Sequence, residues 1–163
     1  MMDDQLIKVL RGREERWNIR RSIAEREHHT LITITLCVPA DYRNSEEFRM
    51  IFQRLCEKFW RILISNNIPA RREGTIWNDD GPGCFVSVDA GAADAKRLCV
   101  KAEECIPGGR MLDIDVMDGN GVQISRSDIS LHPRKCFICD NPAAVCVSRK
   151  LHTKDEVSAC VER

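Results

Sequence analysis

The stretch LITITLCV, residues 31–38, decides the fold because apolar and polar side chains alternate along it. Alternation of this kind is typical of a β-strand, in which successive side chains point to opposite faces of a sheet. One side of the predicted strand carries the apolar residues and the other carries the threonines, that is, Ile32, Ile34, Leu36 and Val38 against Thr33 and Thr35. We therefore predict a strand with one buried face.

The segment after this strand predicts a long core helix. Asn44 is an acceptable N-cap with Glu47 as its capping-box partner, and the helix is expected to end near Asn66, before Pro69. Apolar side chains repeat at helical spacing between these ends: Phe48, Ile51, Phe52, Leu55, Phe59, Ile62 and Leu63. We interpret this aromatic-rich stripe as core packing.

Turn signals divide the next part of the chain into short elements. In chain order these are a strand, the turn NDDGPG, a strand, a helix and a strand, over residues 74–77, 78–83, 84–88, 91–106 and 111–117. The two strands on either side of NDDGPG are expected to form a hairpin. The turn DGNG then leads into an extra strand over residues 122–125.

The order strand, helix, strand, strand, helix, strand predicts an α+β fold with a ferredoxin-like split βαβ core. In that core two helices cover one face of an antiparallel sheet, and the other face is left partly open. We expect one domain over residues 1–163, which divides into an N-terminal helical segment, the α+β core with its extra β-hairpin strand, and a Cys/His-rich subdomain with a C-terminal helix: residues 1–28, 31–125 and 126–163. Thr153 and Glu156 form a capping box for that last helix.

Charge and apolar content restrict the classes of function. The 163 residues include 25 basic and 25 acidic side chains, which removes the strong global attraction expected of a nucleic-acid or membrane-surface binder. No apolar run approaches the roughly 18 residues of a membrane span, and the acidic beginning MMDDQ is unlike a secretory signal. We therefore expect a cytoplasmic protein that binds neither nucleic acid nor membrane.

The chain contains nine cysteines, an odd and high number. Five of them lie in apolar runs and are predicted to be small buried hydrophobes in a reducing compartment, not a disulfide framework: Cys37, Cys56, Cys84, Cys99 and Cys105.

Two aspartates in MLDIDVM, residues 111–117, are the first candidates for chemistry. If the apolar residues of this strand face the core, Asp113 and Asp115 share the opposite face, roughly 6 to 7 Å apart along the strand. Such a pair repels itself unless a cation neutralises it, and Mg²⁺ is the natural oxygen-liganded ion. The alternative is that this Asp-x-Asp pattern only solvates a strand end.

Basic residues near the aspartates favour an anionic ligand. Arg110 precedes the pair, and Arg126, Arg134 and Lys135 follow it. Arg13 and Arg16, three apart on the predicted N-terminal helix, either reach a phosphate or belong to a solvated helix face. Together these parts suit metal-assisted phosphoryl or nucleotidyl transfer.

Cysteine and histidine spacing near the end of the chain indicates a structural zinc site. The four candidate ligands are Cys136, Cys139, Cys146 and His152, in a loop-rich stretch. Three thiolates and one imidazole would close a tetrahedral shell. The alternatives are free thiols packed against a loop and, less favoured, a redox Cys-x-x-Cys pair, since no helix start carries it.

Nearly the whole chain resembles one known family. The resemblance rests on GREER (12–16), SEEFRMIF (45–52), GRMLDIDV (109–116), ISRSD (124–128), and PRKCFICDNPAAVC (133–146) followed by His152. These segments are similar to the citrate lyase holo-acyl-carrier-protein synthases, the phosphoribosyl-dephospho-CoA transferases.

The resemblance implies a single transferase domain with a defined reaction. Members of the family move phosphoribosyl-dephospho-CoA from triphosphoribosyl-dephospho-CoA to a serine of the apo acyl-carrier subunit of citrate lyase and release pyrophosphate. Carried over to this sequence, the resemblance implies that Asp113 and Asp115 hold Mg²⁺ and that Arg110 is catalytic with them and holds the donor. It also implies donor binding by the remaining candidates, Arg13, Arg16, Arg126, Asp128, Arg134 and Lys135. Asp115 and Asp128 are the candidates for removing the serine proton.

The competing hypothesis is a non-enzymatic, zinc-stabilised module whose basic loop binds RNA or an acidic protein. Neutral net charge and only nine aromatic residues, mostly at core-like positions, argue against nucleic acid. Release of pyrophosphate separates the two hypotheses.

Overall fold

The computed structural model describes residues 4–27 and 29–162, so residues 1–3, 28 and 163 of the predicted segments lie outside the described residues. The strands are β1 (Thr30–Leu36), β2 (Ala70–Asn78), β3 (Gly81–Val88), β4 (Leu112–Met117) and β5 (Gln123–Ile124). The α-helices are α1 (Asp4–Glu27), α2 (Ala40–Arg43), α3 (Glu46–Ser65), α4 (Ala92–Cys105), α5 (Ala143–Arg149) and α6 (Lys154–Val161).

The strands form one antiparallel sheet in the order β2-β3-β1-β4-β5. This architecture confirms the α+β class. The order β2-β3-β1-β4, with α3 after β1 and α4 after β3, fits the predicted split βαβ arrangement. The short strand β5 extends the sheet beside β4, as the turn after β4 predicted.

The main core lies between the sheet and helices α3 and α4. From β1 it receives Ile32, Ile34 and Leu36, and from α3 it receives the aromatic-rich stripe, including Phe52 and Phe59. Both phenylalanines are only 1% exposed. Burial of each such side chain stabilises the fold by about 1.5–3 kcal/mol. Because this burial requires apolar residues at regular spacing, their periodicity in the sequence predicted these elements.

Helix α1 covers much of the second face of the sheet, which stays open, as predicted, around Asp113, whose side chain is 55% exposed. Ile23 and Ala24 of α1 pack against Leu31, Phe85 and Met117, which point to the side opposite the main core. Although polar, Thr33 of β1 is 2% exposed because α1 passes over it. The predicted N-terminal helix therefore forms a second layer.

The beginning of α3 differs from the prediction by one residue. Ser45, not Asn44, is the N-cap, and its side chain accepts a hydrogen bond from the Phe48 N–H. Asn44 is the C-cap of α2, a short helix that the sequence pattern did not predict. The predicted end of α3 near Asn66 is confirmed, since Asn66 is its C-cap.

The hairpin β2-β3 and the capping box of α6 were both predicted correctly. The hairpin strands are longer than expected, and Thr153 and Glu156 cap α6 reciprocally. Helix α5, which carries the predicted metal ligand Cys146, was missed because its seven residues are too few to show a helical period. Within the described part of the chain, no helix is long and apolar enough to span a membrane.

Cysteine burial follows the prediction in part. Cys84 and Cys99 are buried and Cys37 and Cys56 are half-buried, whereas Cys105, at the end of α4, is exposed. The prediction of burial is wrong for Cys105 because its side chain lies on the outer face of the last helical turn. All nine cysteines are free thiols.

Candidate active site

A polar cleft of about 330 Å³ lies between α1 and the sheet face that α1 covers. Five parts of the chain line the cleft, and most of the lining side chains are charged or carry a hydroxyl group. The lining residues are Arg13, Arg16, Trp17 and Arg20 of α1, Arg43 of α2, Thr33, Thr35 and Leu36 of β1, Asp113 and Asp115 of β4, and Asp80 between β2 and β3. Such a lining suits a polar, charged ligand.

Strand β4 brings both predicted carboxylates into the cleft. The alternating residues Leu112, Ile114 and Val116 are buried in the main core, so the aspartates between them point to the α1 side. In the register with β1, Asp113 pairs with Thr35 and Asp115 pairs with Thr33. The shared face predicted from the sequence is therefore present.

Asp80 organises the arginines at one end of the cleft. Its carboxylate, 2% exposed, accepts hydrogen bonds from Arg13 Nε at 3.3 Å, Arg43 Nη1 at 2.9 Å and Arg16 Nη2. A buried carboxylate requires such partners, since an unpaired buried charge is costly. The predicted phosphate-binding residues Arg13 and Arg16 thus lie at the cleft and are positioned by a carboxylate of the chain itself.

Gly12 allows α1 to approach the β2-β3 hairpin closely. A Cβ atom at this position would lie 2.7 Å from Asn78 Oδ1 and 3.0 Å from the Asp80 backbone nitrogen. Asn78 Nδ2 donates to the Gly12 carbonyl at 2.9 Å, and Asn78 Oδ1 accepts from the Asp80 N–H at 3.0 Å. The segment GREER therefore fixes the helix to the hairpin and directs its arginines to the cleft.

Several buried donors at the cleft have no acceptor among the described residues. They are Nη1 of Arg16, Nε and Nη2 of Arg20, and the Thr33 hydroxyl. Buried polar groups are normally hydrogen-bonded, and each unsatisfied one costs about 1–3 kcal/mol, more when charged. Their concentration around one open space indicates a site whose ligand supplies anionic acceptors.

Arg20 and Asp115 face each other across the cleft at a distance that leaves both incompletely compensated. Arg20 Nη1 lies 3.6 Å from Asp115 Oδ2. Burial lowers the pKa of Arg20, while burial and the neighbouring charge of Asp113 raise the pKa of Asp115. Both shifts disfavour the charged forms, so an additional cation near the aspartates and an anion near the arginines would each be stabilised.

Arg134 connects the cleft with the C-terminal part of the chain. Its Nη1 lies 3.3 Å from Asp113 Oδ1, and its Nη2 donates to the Leu112 carbonyl at 2.8 Å and to the Arg110 carbonyl. Arg110 itself donates to the Lys135 carbonyl at 3.1 Å and to the Cys136 carbonyl, and stacks on Phe137. The guanidinium of Arg110 is thus directed to the Cys/His loop and not to the cleft.

Three further candidates lie outside the cleft lining. Arg126 pairs with Glu103 at 2.6 Å, and Lys135 pairs with Asp140 at 3.0 Å. Asp128 accepts hydrogen bonds from Ser125 Oγ and the Ser125 N–H, which lower the pKa of Asp128. The structure thus brings together Arg13, Arg16, Asp113 and Asp115 of the predicted set, with Arg134 beside them.

The backbone of β4 between the two aspartates, which β5 does not reach, is held by α4. Lys96 Nζ donates to the Ile114 carbonyl at 2.8 Å, and Glu103 Oε1 accepts from the Ile114 N–H at 2.9 Å. Both side chains are buried, and Arg126 neutralises Glu103. These contacts fix the backbone of β4 and with it the positions of Asp113 and Asp115.

The predicted zinc ligands converge in the structure. The ligand atoms of Cys136, Cys139, Cys146 and His152 all lie within 4.8 Å of one another. Cys139 Sγ is 3.5 Å from Cys146 Sγ and 3.3 Å from His152 Nε2. Zinc–ligand bonds of about 2.0–2.3 Å in a tetrahedron place ligand atoms at such separations, so the donor set and its spacing fit Zn²⁺.

Two thiols of this cluster have pKa values shifted in opposite directions. Burial acts to raise the pKa of Cys136, but hydrogen bonds from backbone N–H groups outweigh it and lower that pKa to about 7. Burial and contact with Cys139 raise the pKa of Cys146 to about 12. A bound cation would therefore be needed to keep Cys146 as a thiolate at neutral pH.

Four residues that line the cleft were not predicted from the sequence as site residues: Thr33, Arg20, Arg43 and Asp80. A signal existed for Arg20, since it follows Arg16 by four residues and shares its helix face. Asp80 looked like an ordinary turn residue, and Arg43 lies in the unpredicted α2. Their roles depend on the packing of α1 against the sheet.

These observations define an α+β protein with a cleft suited to a polyanion, adjoined by a Cys/His cluster suited to a metal ion. The family model described as apo-citrate lyase phosphoribosyl-dephospho-CoA transferase matches residues 4–163. The chain therefore belongs to this transferase family, and the resemblance inferred from the sequence is confirmed.

Bacterial relatives with the same description support this assignment. The apo-citrate lyase phosphoribosyl-dephospho-CoA transferase of Escherichia coli O1:K1 is 30% identical over 145 residues, which cover 89% of this chain and 79% of that protein. The protein of that name from Shigella flexneri serotype 5b is 32% identical over 147 residues, with the same coverage of 89% and 79%.

Proposed function

We propose that this chain transfers phosphoribosyl-dephospho-CoA from triphosphoribosyl-dephospho-CoA to a serine of the apo acyl-carrier subunit of citrate lyase, with release of pyrophosphate, in the cytoplasm. Family membership supports the transferred group and the citrate lyase acceptor. The observation that carries the assignment of the site is the set of buried, unpartnered donors of Arg16 and Arg20 beside the aspartate pair, stated for the described residues.

The triphosphate of the donor would occupy the arginine-lined end of the cleft. Arg13, Arg16 and Arg20 follow one another at spacings of three and four residues, so their side chains share one face of α1. Asp80 orients Arg13 and Arg16 but leaves Arg16 Nη1 unpaired. Guanidinium groups bind phosphate oxygens through several N–H donors, and a prepositioned set needs little rearrangement when the ligand arrives.

Asp113 and Asp115 fit Mg²⁺ as a carboxylate pair. They share one strand face, and the raised pKa of Asp115 supports a pair that lacks full cationic compensation. Two carboxylates together with phosphate oxygens and water are a usual Mg²⁺ shell. Mg²⁺ bound there would neutralise the negative charge that develops on the leaving pyrophosphate.

In the proposed transfer, the serine Oγ bonds to the phosphorus attached to the ribose, and the bond from this phosphorus to the bridging oxygen of pyrophosphate breaks. The serine proton passes to a base. Asp115 lines the cleft, whereas Asp128 lies on the turn after β5 and accepts two hydrogen bonds from Ser125. Of these two candidates, Asp115 is therefore the better placed proton acceptor.

We assign positioning roles to Arg110 and Arg134 and not contact with the donor. Arg134 bonds both to Asp113 and to the backbone on either side of Met111, while Arg110 bonds to the backbone of Lys135 and Cys136. A zinc ion held by Cys136, Cys139, Cys146 and His152 would fix the loop that carries Arg134. The predicted donor contacts of Arg126, Asp128 and Lys135 are not part of this proposal.

The test uses purified protein, apo acyl-carrier subunit, triphosphoribosyl-dephospho-CoA and Mg²⁺. We expect stoichiometric pyrophosphate release and a mass increase of the carrier equal to the transferred group, located on one serine. A carrier in which that serine is replaced by alanine is the control and should release none. Absence of pyrophosphate with the intact carrier would favour the alternative of a non-enzymatic zinc-stabilised module that binds a nucleic acid or an acidic protein.

A further inference from the structure

We propose that an apolar groove beside the cleft docks the acceptor segment of the carrier subunit, a segment that presents apolar side chains and carboxylates next to its serine. This inference rests on the proposed function and names the surface by which the protein substrate is recognised. The groove has a volume of about 380 Å³. It lies between the end of β1 and the C-terminal part of the chain, where Cys37, Val38 and Pro39 face Phe137, Val147 and Val157.

The groove exposes apolar surface that a folded chain normally buries. Val147 of α5 lines it and is 77% exposed, and Phe137 and Val157 of the same lining are half-buried. Large apolar side chains at such exposure, grouped around a concavity, are typical of protein interaction sites. In contrast, the cleft is lined mostly by charged and hydroxyl groups, so the two concavities suit different ligands.

The groove and the cleft are neighbours. Leu36 lines the cleft, and the next residue, Cys37, lines the groove. Arg134 lines the groove and pairs with Asp113, which lines the cleft. A protein segment in the groove would therefore present an adjacent serine at the aspartate end of the cleft, where its oxygen must meet the donor phosphorus.

The charge of the groove selects an acidic occupant. Its described lining includes three cations, Arg134, Lys135 and Lys150, and no carboxylate. Arg134 pairs with Asp113 and Lys135 pairs with Asp140, whereas Lys150 is exposed and forms no ion pair with any described residue. Arg149 next to it is also exposed. Basic side chains around an apolar floor accelerate and orient the association of a partner with carboxylates around an apolar contact. The donor's phosphates already find cationic partners in the cleft, which leaves the groove to the acceptor.

Two substitutions test the docking surface by steady-state kinetics with each substrate varied in turn. We expect Val147→Asp and Lys150→Glu each to raise the KM for the apo carrier about tenfold and to leave the KM for the triphosphoribosyl donor unchanged. Ile64→Asp and Lys101→Glu are matched controls on exposed positions of α3 and α4 and should change neither KM. Circular dichroism and metal content verify that the variants are folded.

Calorimetric titration of the apo carrier without donor provides a second readout. Wild-type protein should bind the carrier, with an affinity that falls as salt is added, and both groove variants should bind it about tenfold more weakly. Carrier KM and affinity equal to wild type in both variants would overturn the docking inference while leaving the proposed function intact. A rise in the donor KM in place of the carrier KM would assign the groove to the donor. Absence of both transfer and binding by wild-type protein would refute the proposed function itself.

Discussion

The cleft and the Cys/His cluster both gather ionisable side chains, but they differ in how completely those side chains satisfy one another. In the cluster, four ligand atoms lie within 4.8 Å of one another and converge on one position. In the cleft, buried donors of Arg16 and Arg20 have no acceptor among the described residues. A closed set of ligands suits a permanent ion that stabilises the fold, whereas open donors suit a substrate that binds and leaves.

Because of this difference, substitutions in the two regions should have different consequences for activity and for the fold. Loss of charge in the cleft should impair transfer while the fold remains, because the removed interactions are those made with substrate. Loss of a ligand in the cluster should first release metal and loosen the C-terminal part of the chain. A variant in which these two consequences are exchanged would contradict this distinction between the two regions.

The largest effect is expected from the double substitution Asp113→Asn with Asp115→Asn. Transfer should fall about 1000-fold or more, because the carboxylates that would hold Mg²⁺ are removed. The thermal unfolding midpoint should stay the same or rise, since repulsion between two carboxylates is relieved. Initial rates of pyrophosphate release and a thermal melt measure both quantities. Asp79→Asn is the control, and wild-type activity in the double variant would contradict the assignment of the site.

The next largest effect is expected at the Cys/His cluster. Cys139→Ser should reduce bound zinc from about one ion per chain to nearly none, because one of the four ligands is lost. Amide exchange should accelerate over residues 133–161 and remain slow in the sheet. Cys160→Ser is a close control, since Cys160 Sγ donates to the Phe137 carbonyl at 3.3 Å but does not belong to the cluster. Elemental analysis that finds no zinc in the wild-type protein would reject the zinc prediction.

A smaller loss of activity is expected from Arg20→Met. The transfer rate constant kcat/KM should fall about 10- to 100-fold, as for loss of one charge-assisted phosphate contact. Arg21→Met is the matched control on the adjacent position, because Arg21 is exposed and pairs with Glu25 at 3.0 Å. Equal activity of the two variants would show that the unpartnered donors of Arg20 do not contact substrate.

The smallest effect concerns the pH dependence of stability. Burial and Asp113 raise the pKa of Asp115, so the folded chain holds this proton more tightly than the unfolded chain does. The free energy of unfolding contributed by this group therefore falls as pH rises from the ordinary carboxyl pKa through the raised one. Urea unfolding at pH steps from about 3.5 to 7 should show a shallower decline in Asp115→Asn. A steeper decline in that variant would reverse the sign of the assigned shift.

Local patterns predicted most of the helices and strands. They also predicted four of the residues that line the cleft, Arg13, Arg16, Asp113 and Asp115. Alternation along β4 was sufficient to place Asp113 and Asp115 on one face, because side-chain direction in a strand depends only on its parity. The Cys/His cluster was predicted because cysteine and histidine have few alternative roles at such spacing. The contacts of Arg110 were not predicted, since its direction toward the Cys136 loop depends on the path of residues 129–136.

Local patterns in the sequence were sufficient for the elements other than α2 and α5, for the α+β class and the family, for the face that carries the aspartates and for the members of the Cys/His cluster. Only the tertiary structure decided that α1 covers the second face of the sheet, that Asp80 gathers Arg13, Arg16 and Arg43, and that Arg20 lies opposite Asp115. The physical reason is separation along the chain, since strand parity and helical period depend only on neighbouring residues. A cleft, in contrast, is formed by side chains more than sixty residues apart, such as Arg16 and Asp80, and depends on how whole layers pack.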